Sequence, residues 1–199
     1  ASRWHARAPE SLPLRSDTIA SPWRVVFGRK MGTPDTIVMD SLKSYIDTTL
    51  AIANPAEARA VKSKSPAGIT MVSGRAVKYF SGTAAYHNCF FLGAVDNART
   101  YRIDLGMVNY MAEVWVNGKY CGLTWFSPHS IDISAVVKEG ENTLEIRVTN
   151  PWKNRICGDK LAKAGETTYT WTSYPWSKKT KNILMPAGLL GPVTITLYK

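Results

Sequence analysis

The chain has 199 residues, room for one domain with a real core, and ten net positive charges that permit an anionic partner. The charge is scattered, from Arg3, Arg7, Arg15, Arg24, Arg29 and Lys30 near the start to Lys178, Lys179 and Lys181 late. Without a basic helix or an RNA-type aromatic signature, that scatter argues against nucleic acid and for a solvated surface. No run approaches the ~18 apolar residues of a membrane span.

Residues 1–22 read as irregular, broken by Pro9, Pro13 and Pro22. Trp23 to Phe27 is the first predicted strand, with Trp23, Val25 and Phe27 on one face, because alternate side chains leave opposite faces of a sheet. After a loop from Gly28 to Pro34, Ile37 to Met39 is a short strand, and Asp40-Ser41-Leu42 is expected to turn into a helical stub. Residues 48–73 form a surface excursion with a short helix, Asn54 its cap and Pro55 its first residue. Val77 to Leu92 reads as a strand pair kinked at Ser81-Gly82; its mixed faces suggest cover on both sides.

The stretch Tyr101 to Asn150 organises the chain. Tyr101, Ile103 and Leu105 share one face, as do Ala112, Val114 and Val116, and then Leu144, Ile146 and Val148. Asn117-Gly118, which tolerates positive φ at both central turn positions, is the strongest hairpin signal. A second turn lies at Glu139 to Asn142. Residues 151–186 read as a long connection without strands, Gly188 to Pro192 as a turn, and Val193 to Leu197 as the last strand. The sum is an all-β fold, a two-sheet antiparallel β-sandwich of the jelly-roll kind spanning residues 1–199 as one domain.

The run MAEVWVNGKYCGLTWFSPHSIDISAVVKEGENTLEIRVTN resembles the sugar-binding, galactose-binding-like β-sandwich of family 2-type glycoside hydrolases. With NPWKNRICGD and ILMPAGLLGPVTI downstream, and YFSGTAAYHNCF upstream, the resemblance is closest to the C-terminal sandwich of family 106-type α-L-rhamnosidases. It covers Val77 to Leu197 and leaves out Met31 to Ser73. The resemblance implies a module without catalytic acids, which in such enzymes lie on a separate barrel domain. It also implies partners, a carbohydrate (an oligosaccharide or a plant or host glycan) and the catalytic domain of the same parent chain, and a periplasmic or extracellular location. The chain starts at Ala1 with no leader pattern, and the resemblance to one module of long enzymes makes an excised piece the expectation. A free-standing carbohydrate-binding or adhesion protein is the alternative reading.

The residues themselves point the same way. Glycoside cleavage needs two facing carboxyl groups, about 5–5.5 or 6.5–9.5 Å apart. Here Asp104, Glu113, Asp132, Glu139, Glu141 and Glu145 read as turn and strand-exterior residues, so no catalytic residue is assigned. The three histidines are far apart and the spacing of Cys89, Cys121 and Cys157 fits no zinc site, so no metal ligand is assigned and three buried thiols are expected. No cofactor is expected; calcium often stabilises sandwiches of this kind, but no Asp-rich loop here offers its six to eight oxygens.

Sugar recognition asks for rings that pack on pyranose C–H faces and for amide, carboxylate and guanidinium groups that bond hydroxyls. Asn150, Trp152, Asn154, Arg155, Asp159, Tyr169, Trp171, Tyr174 and Trp176 supply both on one predicted loop. Exposed rings in such number mark either a glycan contact or the docking face of a neighbouring domain. Trp125, Phe126 and His129 form a second candidate edge, for which a loop packed on its own aromatics is the preferred reading.

Overall fold

The computed structural model describes residues 12–20, 22–28, 32–47, 77–162, 167–171 and 183–199. Among them the chain runs β1 (Pro13–Thr18), β2 (Trp23–Phe27), β3 (Thr36–Met39), β4 (Gly82–Leu92), β5 (Thr100–Asp104), β6 (Met107–Asn109) and β7 (Met111–Val116). It continues β8 (Lys119–Thr124), β9 (Ser130–Asp132), β10 (Gly140–Asn150), helix α1 (Lys153–Lys160), β11 (Gly188–Gly191) and β12 (Thr194–Tyr198).

Two antiparallel sheets stack. The larger has the order β3-β2-β4-β10-β7-β8, the smaller β1-β12-β5-β9, and β11 pairs with β6 at one end. β10 holds the larger sheet together: it pairs with β4 from Gly140↔Leu92 to Asn150↔Gly82, and with β7 from Leu144↔Val116 to Thr149↔Met111. Because β10 is paired on both edges and alternates cleanly, a slip of one residue would expose Leu144, Ile146 and Val148 together, which fixes the register.

The core forms where the two inner faces meet. Trp23, Val25, Phe27, Ala84, Tyr86, Ala112, Val114, Val116, Leu144, Ile146 and Val148 come from the larger sheet; Tyr101, Ile103, Ile131 and Ile195 come from the smaller. One polar link runs through it. The Tyr86 hydroxyl donates to that of Tyr45 and accepts the Leu189 N–H at 3.1 Å. The pair thus joins β4, β11 and the segment after β3 without leaving a hydroxyl unpaired. Burial raises both phenols well above their ordinary pKa, so they stay neutral.

The hairpin signal at Asn117-Gly118 holds, with φ values of 52° and 74°. Asn117 Nδ2 donates to Val136 O (2.9 Å) and to Asn142 Oδ1 (2.8 Å), and Asn117 Oδ1 accepts the Thr143 N–H (3.1 Å). Buried Asn142 is the hub of this corner: its Oδ1 also accepts Lys138 N–H, and its Nδ2 donates to Lys138 O and Gly140 O.

Six expectations need correction. Residues 13–18, expected irregular, form β1; pairing with β12 makes this strand, and all six of its side chains are exposed, so no apolar alternation marks it. Residues 77–78 are helical, not the first half of a strand pair, and Phe80 donates its N–H to Val77 O at 3.0 Å. β4 is one strand with its inner face in the core, not covered on both faces. The stub at Asp40 to Leu42 is a bend. Gly188 to Gly191 is a strand because β6 offers it a partner. Cys89 is exposed on the outer face of β4 and Cys121 half-buried, leaving Cys157 as the buried thiol. The surface excursion at 48–73 lies outside the described residues.

Candidate functional site

The largest departure is at the predicted aromatic loop, where residues 153–160 form helix α1. Its sequence is a poor helix former, with no acidic residue in the first turn, no side-chain cap from Trp152, and Gly158 inside it. Tertiary contacts make the helix. A Cβ at Gly158 would stand 2.6 Å from Tyr79 Cγ and 2.7 Å from Arg155 Nη2, so only glycine lets α1 approach Tyr79 this closely.

The polar side chains of α1 turn inward. Asn154 is buried and bridges to the segment before β11: its Nδ2 donates to Met185 O at 2.8 Å, and its Oδ1 accepts Met185 N–H at 2.9 Å. Asn150, buried at the end of β10, accepts the Gly188 N–H on Oδ1 at 3.0 Å. The Arg155 backbone N–H reaches Ser81 Oγ at 3.1 Å, and its guanidinium lies 2.8 Å from Asp159 Oδ1. That contact is an ion pair by proximity, without an aligned hydrogen bond. The guanidinium also faces the rings of Tyr169 (5.0 Å) and Tyr79 (6.0 Å), within cation–π range.

Asp159 then clamps the returning chain. Its Oδ2 accepts the Tyr169 N–H (3.0 Å), the Thr170 N–H (2.7 Å) and the Thr170 hydroxyl (2.6 Å). Tyr169 in turn covers Gly32, whose added Cβ would sit 2.6 Å from the phenol oxygen. Immediately after the clamp, Trp171 stands 96% exposed. At the start of α1, Trp152 is half exposed. The predicted set therefore divides: Asn150, Asn154, Arg155 and Asp159 face protein groups and fix the backbone, while Trp152 and Trp171 face solvent. Tyr169 does both, packing with one face and remaining partly open. Tyr174 and Trp176 lie outside the described residues.

The second edge divides the same way. Trp125, 70% exposed, and Phe126 lie tilted together at 6.3 Å on the turn after β8. His129 is buried, with Nδ1 at 3.1 Å from Thr124 Oγ1 and its carbonyl accepting the Leu105 N–H. Burial pulls its pKa below the ordinary histidine value, against the opposing pull of the Asp104 carboxylate. The turn does not pack down its own rings; it shows them to solvent. Tyr79, the second ring beside Arg155, is not singled out by the sequence, because inside the expected strand pair at 77–92 nothing marks it as facing a guanidinium.

Several other described carboxylates serve turns and ion pairs. Asp104 Oδ1 accepts Gly106 N–H (2.8 Å), and Asp132 Oδ1 accepts the N–H and hydroxyl of Ser134 (2.9 and 2.7 Å). Asp96 caps Ala98 N–H (2.9 Å), and Glu145 pairs with Arg147. Among the described residues no group of three or more His, Cys, Asp or Glu side chains is arranged to hold a metal ion, and no helix is long and apolar enough to cross a membrane.

Comparison with known proteins agrees with this fold. The sequence model for the glycosyl hydrolase 2 galactose-binding domain-like family matches residues 75–185. A putative beta-glucuronidase of Formosa agariphila is 31% identical over 204 residues, covering 90% of this chain and 15% of its own length. The rhamnosidase from Novosphingobium sp. PP1Y is 32% identical with a TM-score of 0.70, covering 96% of this chain and 16% of that one. The beta-D-glucuronidase of Dictyoglomus thermophilum shares the fold at 20% identity, with a TM-score of 0.56 over 96% of this chain and 29% of that one. The chain thus spans about a sixth of the Formosa and Novosphingobium proteins.

Proposed function

The chain belongs to the glycosyl hydrolase 2 galactose-binding domain-like family, and on that premise we propose that it is a non-catalytic accessory module of a longer glycoside hydrolase. Its work is to seat the catalytic domain of the parent chain and to bring it near glycan. The observation that carries this reading is the division of the site. Buried polar groups hold α1 and residues 169–170 rigid, and the rings of Trp152 and Trp171 project beyond them, with Trp125 and Phe126 on a second edge. Rigid, exposed aromatic anchors are what an interface uses, since little conformational entropy is lost when they are covered. A glycan-degrading role fits a location in the periplasm or outside the cell.

Hydrogen exchange of this chain alone and within the longer enzyme tests the proposal. The strands of both sheets should be equally protected in the two, while amides around residues 125–126, 152 and 171 gain protection in the longer enzyme. Identical exchange at all three places would remove the docking role.

A further inference from the structure

Among the described residues the sandwich is open at one corner, away from the rings described above. β1 is the edge of the smaller sheet, and its register places Asp17 opposite Ile195 and Arg15 opposite Leu197. Ile195 and Leu197 stand in turn opposite Ile103 and Tyr101, both core residues. Residues directly opposite share a face, so Arg15 and Asp17 point inward, toward the other sheet. They nonetheless remain exposed, and lie 2.7 Å apart as an ion pair.

The reason lies across the gap. Among the described residues β2 pairs with β4 only from Ala84 to His87, so the last residues of β4 have an open edge there. The Cys89 N–H on that edge is taken by the Asn88 side-chain oxygen at 2.8 Å. Two residues on, by the alternation of a strand, the Phe91 N–H and carbonyl face the same open side. Between β1, the Ile19–Ala20 crossover and this edge lies a groove of about 340 Å³. Phe90 and Ile195 line it as apolar surface, and Arg15, Asp17 and Glu141 as charged groups. Phe91, 74% exposed, stands at its rim, and a smaller hollow continues it past Leu92 to Leu197.

Inward charges on an edge strand also discourage strand-to-strand aggregation, and that role needs no ligand. It does not require an aromatic ring at the rim or a recess of ligand size, whereas small-molecule sites begin near this volume. The lining combines an apolar floor, a ring, main-chain donor and acceptor groups, one guanidinium and two carboxylates. That set matches a polyol with an apolar face and no negative charge. We infer that this groove binds one neutral pyranose unit of a glycan, with Asp17 and Arg15 bonding its hydroxyls and Phe91 covering a C–H face. The inference shares with the accessory-module reading only the premise that the module meets glycan.

Amide NMR spectra of the full chain, titrated separately with methyl rhamnoside, methyl galactoside and glucuronate, test it. A neutral glycoside should shift the signals of residues 15–19, 89–92 and 195, and the carboxylate of glucuronate should make it the weakest ligand. Phe91→Ala and Asp17→Asn, both at exposed side chains, should each weaken the neutral glycoside about tenfold, the loss of one good contact. Trp171→Ala should leave it unchanged. Shifts confined to the surroundings of Trp125, Trp152 or Trp171, no shifts with any of the three, or full affinity in both groove variants would overturn the inference. None of these results touches the exchange differences that test domain docking, so the two readings fail separately.

Discussion

Asp159 is the residue on which the aromatic display depends, because it balances the Arg155 charge and holds the backbone of residues 169–170 at once. Both side chains of the pair are almost fully buried. Asp159→Asn should therefore cost about 3 kcal/mol in urea unfolding, since a buried guanidinium loses its counter-charge; a loss near zero would mean that the side chain is a surface ligand. Gly158→Ala separates two opposing effects by sign. Helix propensity alone would favour alanine by about 1 kcal/mol. The approach of Tyr79 at 2.6 Å should outweigh it and leave a net loss of roughly 1–3 kcal/mol. The histidines give a pH dependence. Burial lowers the pKa of His129, and burial with the neighbouring Arg24 lowers that of His87, against the pull of Glu145. Below about 6.5, the ordinary value, the unfolded chain binds these protons before the folded one does. Their contribution is therefore complete above that pH and falls as pH drops from about 6.5 toward the lowered folded values. Urea midpoints should decline over that window, and His129→Gln should flatten the decline.

At the scale of elements, Asn142 joins the β7–β8 hairpin, the 138–140 turn and β10 through four hydrogen bonds. Asn142→Ala strands several of those partners at a buried site and should cost about 2 kcal/mol or more, measured by thermal unfolding. Strands with one buried face were legible beforehand. Trp23-Val25-Phe27, Tyr101-Ile103, Ala112-Val114-Val116 and Leu144-Ile146-Val148 all alternate because one side meets the core. Elements made by their neighbours were not. β1 has no buried side chain to mark it, β11 is four residues whose strand character comes from β6, and α1 is held by Tyr79, Ser81 and Met185 against weak propensity. The same limit applied to the candidate site. Residue type picked out Asn154, Arg155 and Asp159, yet whether they point inward depended on a helix that local sequence does not encode. Arg15, Asp17 and Phe91 were passed over because their shared groove exists only through the register of β1 on β12.

Across the whole molecule, two sheets meet over one core, and the features with unspent chemistry lie at the periphery: rings beside α1 and β8, and the groove between β1 and β4. Several of the described carboxylates are engaged in turns, ion pairs and the clamp on residues 169–170, an arrangement suited to holding shape. On the proposed reading, bond cleavage belongs to another part of a longer enzyme. Hydrolysis of aryl rhamnosides, galactosides and glucuronides by the isolated chain examines that claim most directly. The account expects release no faster than in buffer, with and without added calcium. Saturable turnover by this chain alone, abolished by replacing one of its own carboxylates, would contradict it.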